Sequence, residues 1–283
     1  MKESDRLWTV LAMLEWGTGY FEQREIPDPR LSMEWLLADL LSLKRLDLYL
    51  QFDRPLTSGE LQKIKPLIRR RAGGEPLQYI TGSAQFMDVV IHVNPSVLIP
   101  RMETEQLVEL ILEETESKKS EPLRLIDLGT GSGCIPVSIK KERPAWYCAG
   151  TDISPEALET AAHNATVNGV EVDVTLRDIL SEAASEERWD IVVSNPPYIK
   201  PEERGEMHRQ VLDFEPALAL FHPSPLTLYD SVIRFARALN AQLFLECNDK
   251  TALEVAALAK RFFPNTQLRN DLDGLPRFVV SRP

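Results

Sequence analysis

Three observations predict an α/β protein whose mostly parallel sheet ends in an antiparallel hairpin and follows a small all-α N-terminal domain. Strand and helix signals alternate from about residue 123, which is the pattern of βαβ units. Residues 1–73 carry helical periodicity and almost no strand signal. The last two strand signals flank Asp273-Gly274, a dipeptide that favours a tight hairpin turn. The 283 residues also exceed one comfortable core and suggest more than one domain.

In the first domain, residues 1–73, Leu7, Trp8, Leu11 and Leu14 recur at helical spacing, and Trp35, Leu36, Leu40 and Leu43 form a second amphipathic set. Ile26-Pro27-Asp28-Pro29 separates the two, with Asp28 or Ser32 as the cap of the second. Trp8, Trp16, Tyr20, Phe21 and Trp35 concentrate here; most are expected to fill a small core, and some to anchor a protein partner. Thr57-Ser-Gly-Glu60 reads as a capping box introducing a helix that ends in the basic run KIKPLIRRR, Lys63 to Arg71. That run suits either a solvated helix end, its cations on the C-terminal dipole, or contact with an acidic partner or RNA.

Residues 74–101 are expected to hold a β-hairpin, QYITGSAQFMDVVIHV from Gln78 to Val93 with Gly82-Ser83 near its turn, and a linker stiffened by Pro95 and Pro100. Such a connector would hold the helical domain over the catalytic mouth. From residue 102 onward, a helix starting at Met102 carries Leu107, Leu110 and Ile111 on one face. Strands follow near Leu123–Asp127, Tyr147–Asp152, Glu171–Leu176, Ile191–Ser194 and Leu243–Cys247, and the closing hairpin pairs Thr266–Asp271 with Arg277–Ser281, placing an antiparallel strand on the sheet edge.

Composition narrows the function. A net charge of −11 argues against tight, nonspecific binding to a phosphate backbone, because such binding draws most of its affinity from Lys and Arg. Cys134, Cys148 and Cys247 lack a CxxC pair and read as reduced core residues of a cytoplasmic protein. No apolar run approaches the roughly 20 residues of a membrane span, and Met1-Lys-Glu-Ser-Asp5 is too polar for a signal segment. His92, His163, His208 and His222 have no ligand spacing, so no metal site is expected.

Two motifs carry the chemistry. Leu125 to Gly133, LIDLGTGSG, is an apolar strand feeding a turn in which Gly129, Gly131 and Gly133 allow positive φ and close approach of a ligand. The spacing departs from the dinucleotide fingerprint. The next strand ends in Asp152, about 20 residues on, where a carboxylate would accept both hydroxyls of a ribose or would simply precede the helix starting near Ser154-Pro155. Further along, a buried-type strand stops at Asn195 and runs into Pro196, Pro197 and Tyr198. Two prolines offer no N–H, so this corner is rich in acceptors, the Asn195 side-chain oxygen and the Pro196 carbonyl, and suits an incoming NH2 group. Tyr198 either provides a flat face for a planar substrate or packs against the sheet edge. A proline-stiffened loop without chemistry is the bland alternative.

Together, Asp127-x-Gly-x-Gly-x-Gly133, the strand-end acid and Asn195-Pro-Pro-Tyr198 resemble the class I methyltransferases that alkylate an NH2 nitrogen. More narrowly, Glu75-Pro-Leu-Gln-Tyr-Ile-Thr-Gly82, Val97-Leu-Ile-Pro-Arg-Met-Glu-Thr-Glu105 and Asn195-Pro-Pro-Tyr-Ile199 resemble the PrmC/HemK family of release-factor glutamine methyltransferases, a likeness running from about Leu31 to the end. It implies a Rossmann-like seven-stranded sheet and S-adenosyl-L-methionine as cofactor, leaving S-adenosyl-L-homocysteine. It places Asp127, Gly129, Thr130, Gly131, Ser132 and Gly133 around the methionine moiety, Asp152 with Ile153 at the ribose, and Asp178 with Ile179 at the adenine, with Asn195 shared between cofactor and substrate sites. Asp178 also suits a cap before Leu180. The segment Pro100–Glu105 matches one lying near the sulfonium, although acids in a first helical turn serve the dipole equally. Two positions depart from the family: Met102 stands where a proline is usual, and Asn248 follows Glu246-Cys247 where a glycine is usual.

The resemblance implies methylation at N5 of the glutamine in the Gly-Gly-Gln motif of peptide chain release factors; the composition points away from membrane and direct nucleic-acid contact, and a monomer is expected. Asn195, Pro196 and Tyr198 would be the catalytic set, with Pro197 completing the substrate corner. Adenine-N6 methylation of DNA or RNA shares the planar NH2 acceptor, and a silent cofactor-binding module is the remaining alternative.

Overall fold

The computed structural model describes residues 7–180 and 188–283; the polar start Met1–Asp5 lies outside the described residues. Two compact units, residues 1–82 and 83–283, divide the chain.

The first unit is helical: α1 (Val10–Glu22), α2 (Pro29–Leu41), a 3-10 helix over Arg45–Gln51, α3 (Ser58–Ala72) and α4 (Leu77–Thr81). Helix α1 begins later than periodicity suggests, because Thr9 caps it by accepting from Ala12 N–H at 3.1 Å. Leu7 therefore lies outside the helix and is exposed, while Val10, Met13, Leu14 and Phe21 form the buried face. Asp28 stands at the N-cap of α2 without a side-chain capping bond. Of the five aromatics, Phe21 is fully buried, Trp8 and Tyr20 pack against the core, and Trp16 and Trp35 are exposed. The Thr57–Glu60 capping box is present.

The basic run is partly structural. Arg71 is buried and donates to the Pro27 and Glu75 carbonyls and to Ser32 Oγ, and Arg70 grips both Glu75 carboxylate oxygens. These bonds draw residues 74–82 into the helical unit. Gly82 ends α4 in the left-handed conformation instead of forming the hairpin turn. The hairpin itself is β1 (Ser83–Phe86) and β2 (Val89–His92), with its turn at Met87-Asp88; Glu105 Oε1 accepts from Met87 N–H and the Gln85 amide donates across the turn.

The second unit continues with α5 (Met102–Glu114), β3 (Arg124–Leu128), α6 (Cys134–Glu142), β4 (Tyr147–Asp152), α7 (Pro155–Val167), β5 (Val172–Leu176) and β6 (Ile191–Ser194). Then come α8 (Arg209–Phe214), α9 (Ala217–Leu220), α10 (Pro225–Ala238), β7 (Gln242–Glu246), α11 (Ala252–Lys260), β8 (Asn265–Asn270) and β9 (Pro276–Arg282). Strands β3 to β9 form one seven-stranded sheet in the order β5-β4-β3-β6-β7-β9-β8. Pairings are parallel from β5 through to β7, and β9 is antiparallel to both β7 and β8.

The antiparallel strand thus lies inside the sheet, and the edge belongs to β8. Burial explains the order: Phe278 to Ser281 of β9 are all buried between their neighbours, whereas β8 is largely polar and exposed and tolerates an open edge. Strand order reverses between β4 and β6 on either side of β3. That reversal opens a crevice beyond the carboxyl ends of these strands, where open α/β sheets bind ligands.

The two departures from the family pattern are local. Met102 is the first residue of α5 and is 71% exposed, and Arg101 before it is extended (φ −109°, ψ 155°). A proline fits this position without loss of a helical hydrogen bond. Met102→Pro is expected to stabilise the protein by about 0.4–1 kcal/mol through the unfolded chain, raising Tm by about 1–3 °C; a lowered Tm in calorimetry would contradict this. At Asn248 the backbone φ is not positive, so no glycine is required, and its side chain accepts from Lys250 N–H at 2.9 Å in the turn before α11.

Candidate active site

The crevice is a cavity of about 460 Å³. The glycine turn after β3, the ends of β4 and β5, and the corner after β6 form most of its wall; Pro216, Leu218, Ala219 and Phe221, between α8 and the start of α10, add an apolar side. Asp127, Gly129, Thr130, Gly131, Ser132, Asp152, Ile153, Asp178, Ile179, Asn195 and Pro197 all line it. Gly133, Pro196 and Tyr198 do not.

Gly133 is needed for packing. Its φ is +76°, and a Cβ there would stand 2.9 Å from the Ala161 Cβ on α7, so the turn and helix approach as only glycine allows. Gly131, at φ +54°, faces open space and leaves room for a ligand against the backbone. Beneath the turn, buried Asn164 donates to the Ser132 carbonyl and to the His92 carbonyl while accepting from His92 N–H at 2.7 Å. One amide therefore ties the glycine turn, α7 and the β1–β2 hairpin. Nothing in the sequence distinguishes Asn164 from its polar neighbours.

Asp152 accepts from Gly131 N–H at 2.8 Å and from Ser154 N–H at 3.0 Å, one bond to each oxygen. It is a turn brace and a cavity wall at once, because each carboxylate oxygen has a further lone pair. Asp178 likewise accepts from Leu180 N–H at 2.8 Å, closing an Asx turn, while lining the cavity. Asp127 is fully buried, and the adjacent Thr130 hydroxyl completes no hydrogen bond of ordinary geometry with it. Burial pushes its carboxyl up to about 7, Thr130 opposing and the negative charge of Asp152 adding to the rise. A buried carboxyl that lacks a donor of ordinary geometry among the described residues, beside an open glycine turn, would be eased by a nearby cation.

At the corner after β6, Ser194 Oγ donates to the Leu128 carbonyl at 2.5 Å, pinning the ends of β6 and β3 together. Asn195 Nδ2 donates to Thr104 Oγ1 at 3.2 Å, and Thr104 Oγ1 donates to Glu246 Oε2 at 2.8 Å. No hydrogen bond engages Asn195 Oδ1 among the described residues, so the oxygen is the amide atom left for a ligand. Pro196 is buried. Tyr198 has the packing role considered for it: its half-buried ring packs on the sheet core and lines a separate cavity of about 240 Å³ with Tyr229 and Asn248.

The Pro100–Glu105 segment supplies both first-turn acids and part of the cavity wall. Glu103 and Glu105 lie in the first turn of α5, and Pro100, Arg101 and Thr104 line the cavity. Arg101 pairs at 2.6 Å with Glu215, a buried acid just after α8, which anchors the apolar side of the cavity. Glu215, Glu246 and the apolar wall are not marked as site residues by the sequence; Arg101 and Thr104 are visible in it only as part of their segment. His222 reaches the cavity wall, where its Nδ1 accepts from Ser224 N–H. The cysteines are buried, and burial raises the Cys134 and Cys148 thiols to about 12, which keeps them protonated. Among the described residues no group of three His, Cys, Asp or Glu is arranged around a metal position, and no helix is long and apolar enough to cross a membrane.

A seven-stranded sheet of this order, with a glycine turn after its first strand, an acid ending the second and Asn-Pro-Pro-Tyr after the fourth, defines a class I S-adenosylmethionine-dependent methyltransferase. Residues 12–82 match the PrmC N-terminal domain and residues 102–213 the methyltransferase small domain. The release factor glutamine methyltransferase of Leptospira interrogans is 36% identical over 280 residues, covering 96% of this chain and 97% of the relative. That of Nitratidesulfovibrio vulgaris is 37% identical, covering 97% and 95%. The chain belongs to the release factor glutamine methyltransferase family. Solved structures share the fold at low identity. The hMettl16 catalytic domain in complex with an RNA hairpin superposes with a TM-score of 0.55 (14% identity, 80% of this chain and 82% of that one). The Thermus thermophilus 16S rRNA N2 G1207 methyltransferase gives 0.52 (16% identity, 71% and 49%).

The donor set fits the cofactor this family implies: an unpartnered buried acid for a cation, a strand-end carboxylate with lone pairs to spare, and Ile153 and Ile179 as apolar faces. A pH dependence follows. Because its folded pKa is raised, the Asp127 contribution to stability is full below the ordinary carboxylate range and is lost as pH rises through about 7. A bound cation favours the ionised form, so S-adenosylmethionine binding is expected to release a proton at about pH 6 and to tighten as pH rises toward 7. Titration calorimetry at about pH 6 in two buffers of different ionisation heat reads this; equal heats would exclude it.

Proposed function

We propose that this chain transfers a methyl group from S-adenosylmethionine to the side-chain amide nitrogen, N5, of the glutamine in the Gly-Gly-Gln motif of peptide chain release factors. The observation that carries the reading is the Asn195 corner: an amide tethered through its nitrogen, with its oxygen left for a substrate NH2, on the wall of the cavity that holds the glycine turn and Asp152.

When bound, S-adenosylmethionine supplies a methyl carbon activated by its sulfonium. Asn195 Oδ1 would accept one N–H of the glutamine amide, and the other would go to the carbonyl of Pro196, whose residue is buried just behind the cavity wall and whose oxygen no backbone hydrogen bond engages among the described residues. A carboxamide nitrogen is a weak nucleophile because its lone pair is delocalised. Two acceptors hold it at the attack angle and stabilise the positive charge that develops as the N–C bond forms and the S–C bond breaks. The surplus proton leaves through one acceptor or to water. Pro197 shapes the corner, and Tyr198 supports it from behind.

In this reading Asp127 and the turn from Gly129 to Gly133 hold the methionine end of the cofactor, Asp152 and Ile153 the ribose, and Asp178 and Ile179 the adenine. Residues 1–73 act in substrate recognition, residues 74–101 connect, and residues 102–283 catalyse, in a cytoplasmic monomer that does not bind nucleic acid directly. The family relationship and the charge of −11 favour protein glutamine over adenine. The test is transfer of tritiated methyl from labelled cofactor to purified release factor, to the same factor with its Gly-Gly-Gln glutamine replaced, and to undermodified RNA. Label is expected in the first alone. Equal labelling of the glutamine variant, or label in RNA, would overturn the assignment.

A further inference from the structure

We propose that Thr104 and Glu246 are positioning residues that set which end of the Asn195 amide meets the substrate. The proposal deepens the reading above and rests on it for the identity of the substrate, though not for the state of the amide.

An asparagine side chain is nearly symmetric in shape, and turning it by half a rotation exchanges an acceptor for a donor. A donor at Asn195 would oppose the NH2 group that the corner must grip. The chain of hydrogen bonds removes this ambiguity. Glu246, at the carboxyl end of β7 and 1% exposed, can only accept when ionised, so it takes the single hydrogen of the Thr104 hydroxyl. Thr104 is then left with lone pairs alone, and among the described residues the donor that meets them is the Asn195 NH2. The oxygen is turned outward as a result. Three elements cooperate: the first turn of α5, the end of β6 and the end of β7.

The polarity depends on Glu246 carrying its charge. Once protonated, Glu246 can donate to Thr104, whose own hydrogen then becomes available to Asn195 Oδ1, and both amide orientations are satisfied. The groups facing Glu246 are Thr104 and Glu103 on α5, Arg277 on β9, Asn195 and Tyr198 after β6, Tyr229 on α10, Cys134 on α6 and Cys247 beside it. Burial raises its carboxyl to about 7; the Thr104 hydrogen bond opposes, Glu103 adds to the rise, Arg277 lowers it, and so does a weaker hydrogen bond from Asn195, which holds the amide in the same sense. Turnover at saturating cofactor should therefore fall as pH drops through about 7. The effect of Asp127 is distinct, because it acts on cofactor affinity.

The experiment uses the full chain and three variants. Thr104→Val keeps the shape of the side chain and deletes the hydroxyl; kcat for release factor methylation is expected to fall about tenfold or more, with cofactor Kd unchanged. Thr104→Ser restores the hydroxyl and should recover most of that loss. Glu246→Gln should remove the acidic limb of the kcat profile near 7. A readout that needs no substrate is the side-chain NH2 resonance of Asn195 in the free enzyme, assigned by its absence in Asn195→Ala. It should titrate with a midpoint near 7, and neither Glu246→Gln nor Thr104→Val should show that titration. Should release factor prove not to be the substrate, the resonance still decides the relay. Wild-type kcat in Thr104→Val, equal loss in Thr104→Ser and Thr104→Val, or an NH2 resonance that titrates unchanged in Glu246→Gln would overturn the proposal. If Thr104→Val does not fold, the Glu246→Gln profile and resonance decide.

Discussion

Replacing Asn195 with alanine is expected to lower the turnover number by at least about tenfold, equivalent to about 1.4 kcal/mol of barrier, while cofactor affinity stays within about twofold. The kinetic split follows from position. Asn195 is tethered through its nitrogen to the Thr104 hydroxyl, with Glu246 close behind, and its oxygen is available to the reacting group. Losing it removes an acceptor that acts most strongly when charge develops on the substrate nitrogen, so kcat suffers more than binding. The fold should tolerate the change, because the backbone corner is held separately by the Ser194 bond to Leu128 and by the prolines. Single-turnover rates with saturating cofactor, together with a cofactor titration, check both halves. An unimpaired rate would remove Asn195 from the chemistry.

Asp152→Ala is expected to weaken cofactor binding by at least about tenfold, or 1.4 kcal/mol, and to lower stability by about 1–3 kcal/mol. Two losses combine. The carboxylate braces the Gly131 and Ser154 N–H groups, and both lose their acceptor when it is removed. The same oxygens face the cavity, where they would receive ribose hydroxyls. Calorimetric titration with S-adenosylmethionine reads the first loss and chemical denaturation without cofactor reads the second. Unchanged affinity with reduced stability would confine Asp152 to the brace. The paired result, affinity lost in Asp152→Ala and rate lost in Asn195→Ala, would divide the cavity into a cofactor side and a reacting side.

The parts of the site that were legible beforehand are those written in short stretches of chain. A glycine that must take positive φ, an acid at a strand end and a pair of prolines after Asn195 each impose their geometry on immediate neighbours, so Gly131, Asp152 and Asn195 could be named before their cavity was seen. The same holds for the capping box at Thr57 and for the start of α5 at Met102. Errors arose where a local signal admits two outcomes. Gly82 ends a helix as readily as it turns a hairpin, and Met87 takes the left-handed position the hairpin needs, held from a distance by Glu105.

What the sequence determined by itself is the succession of strands and helices, the segments that reach the carboxyl edge of the sheet, and the residue types offered there, because periodicity, turn chemistry and φ preference act over a few bonds. Only the tertiary structure decided that β9 runs inside the sheet, that Tyr198 packs on the sheet core beside a second cavity, and that Thr104 and Glu246, 142 residues apart, meet behind Asn195. Those outcomes depend on which surfaces exclude water together and which buried polar atoms must find partners. Both conditions bind residues that lie far apart along the chain, and no local pattern records them.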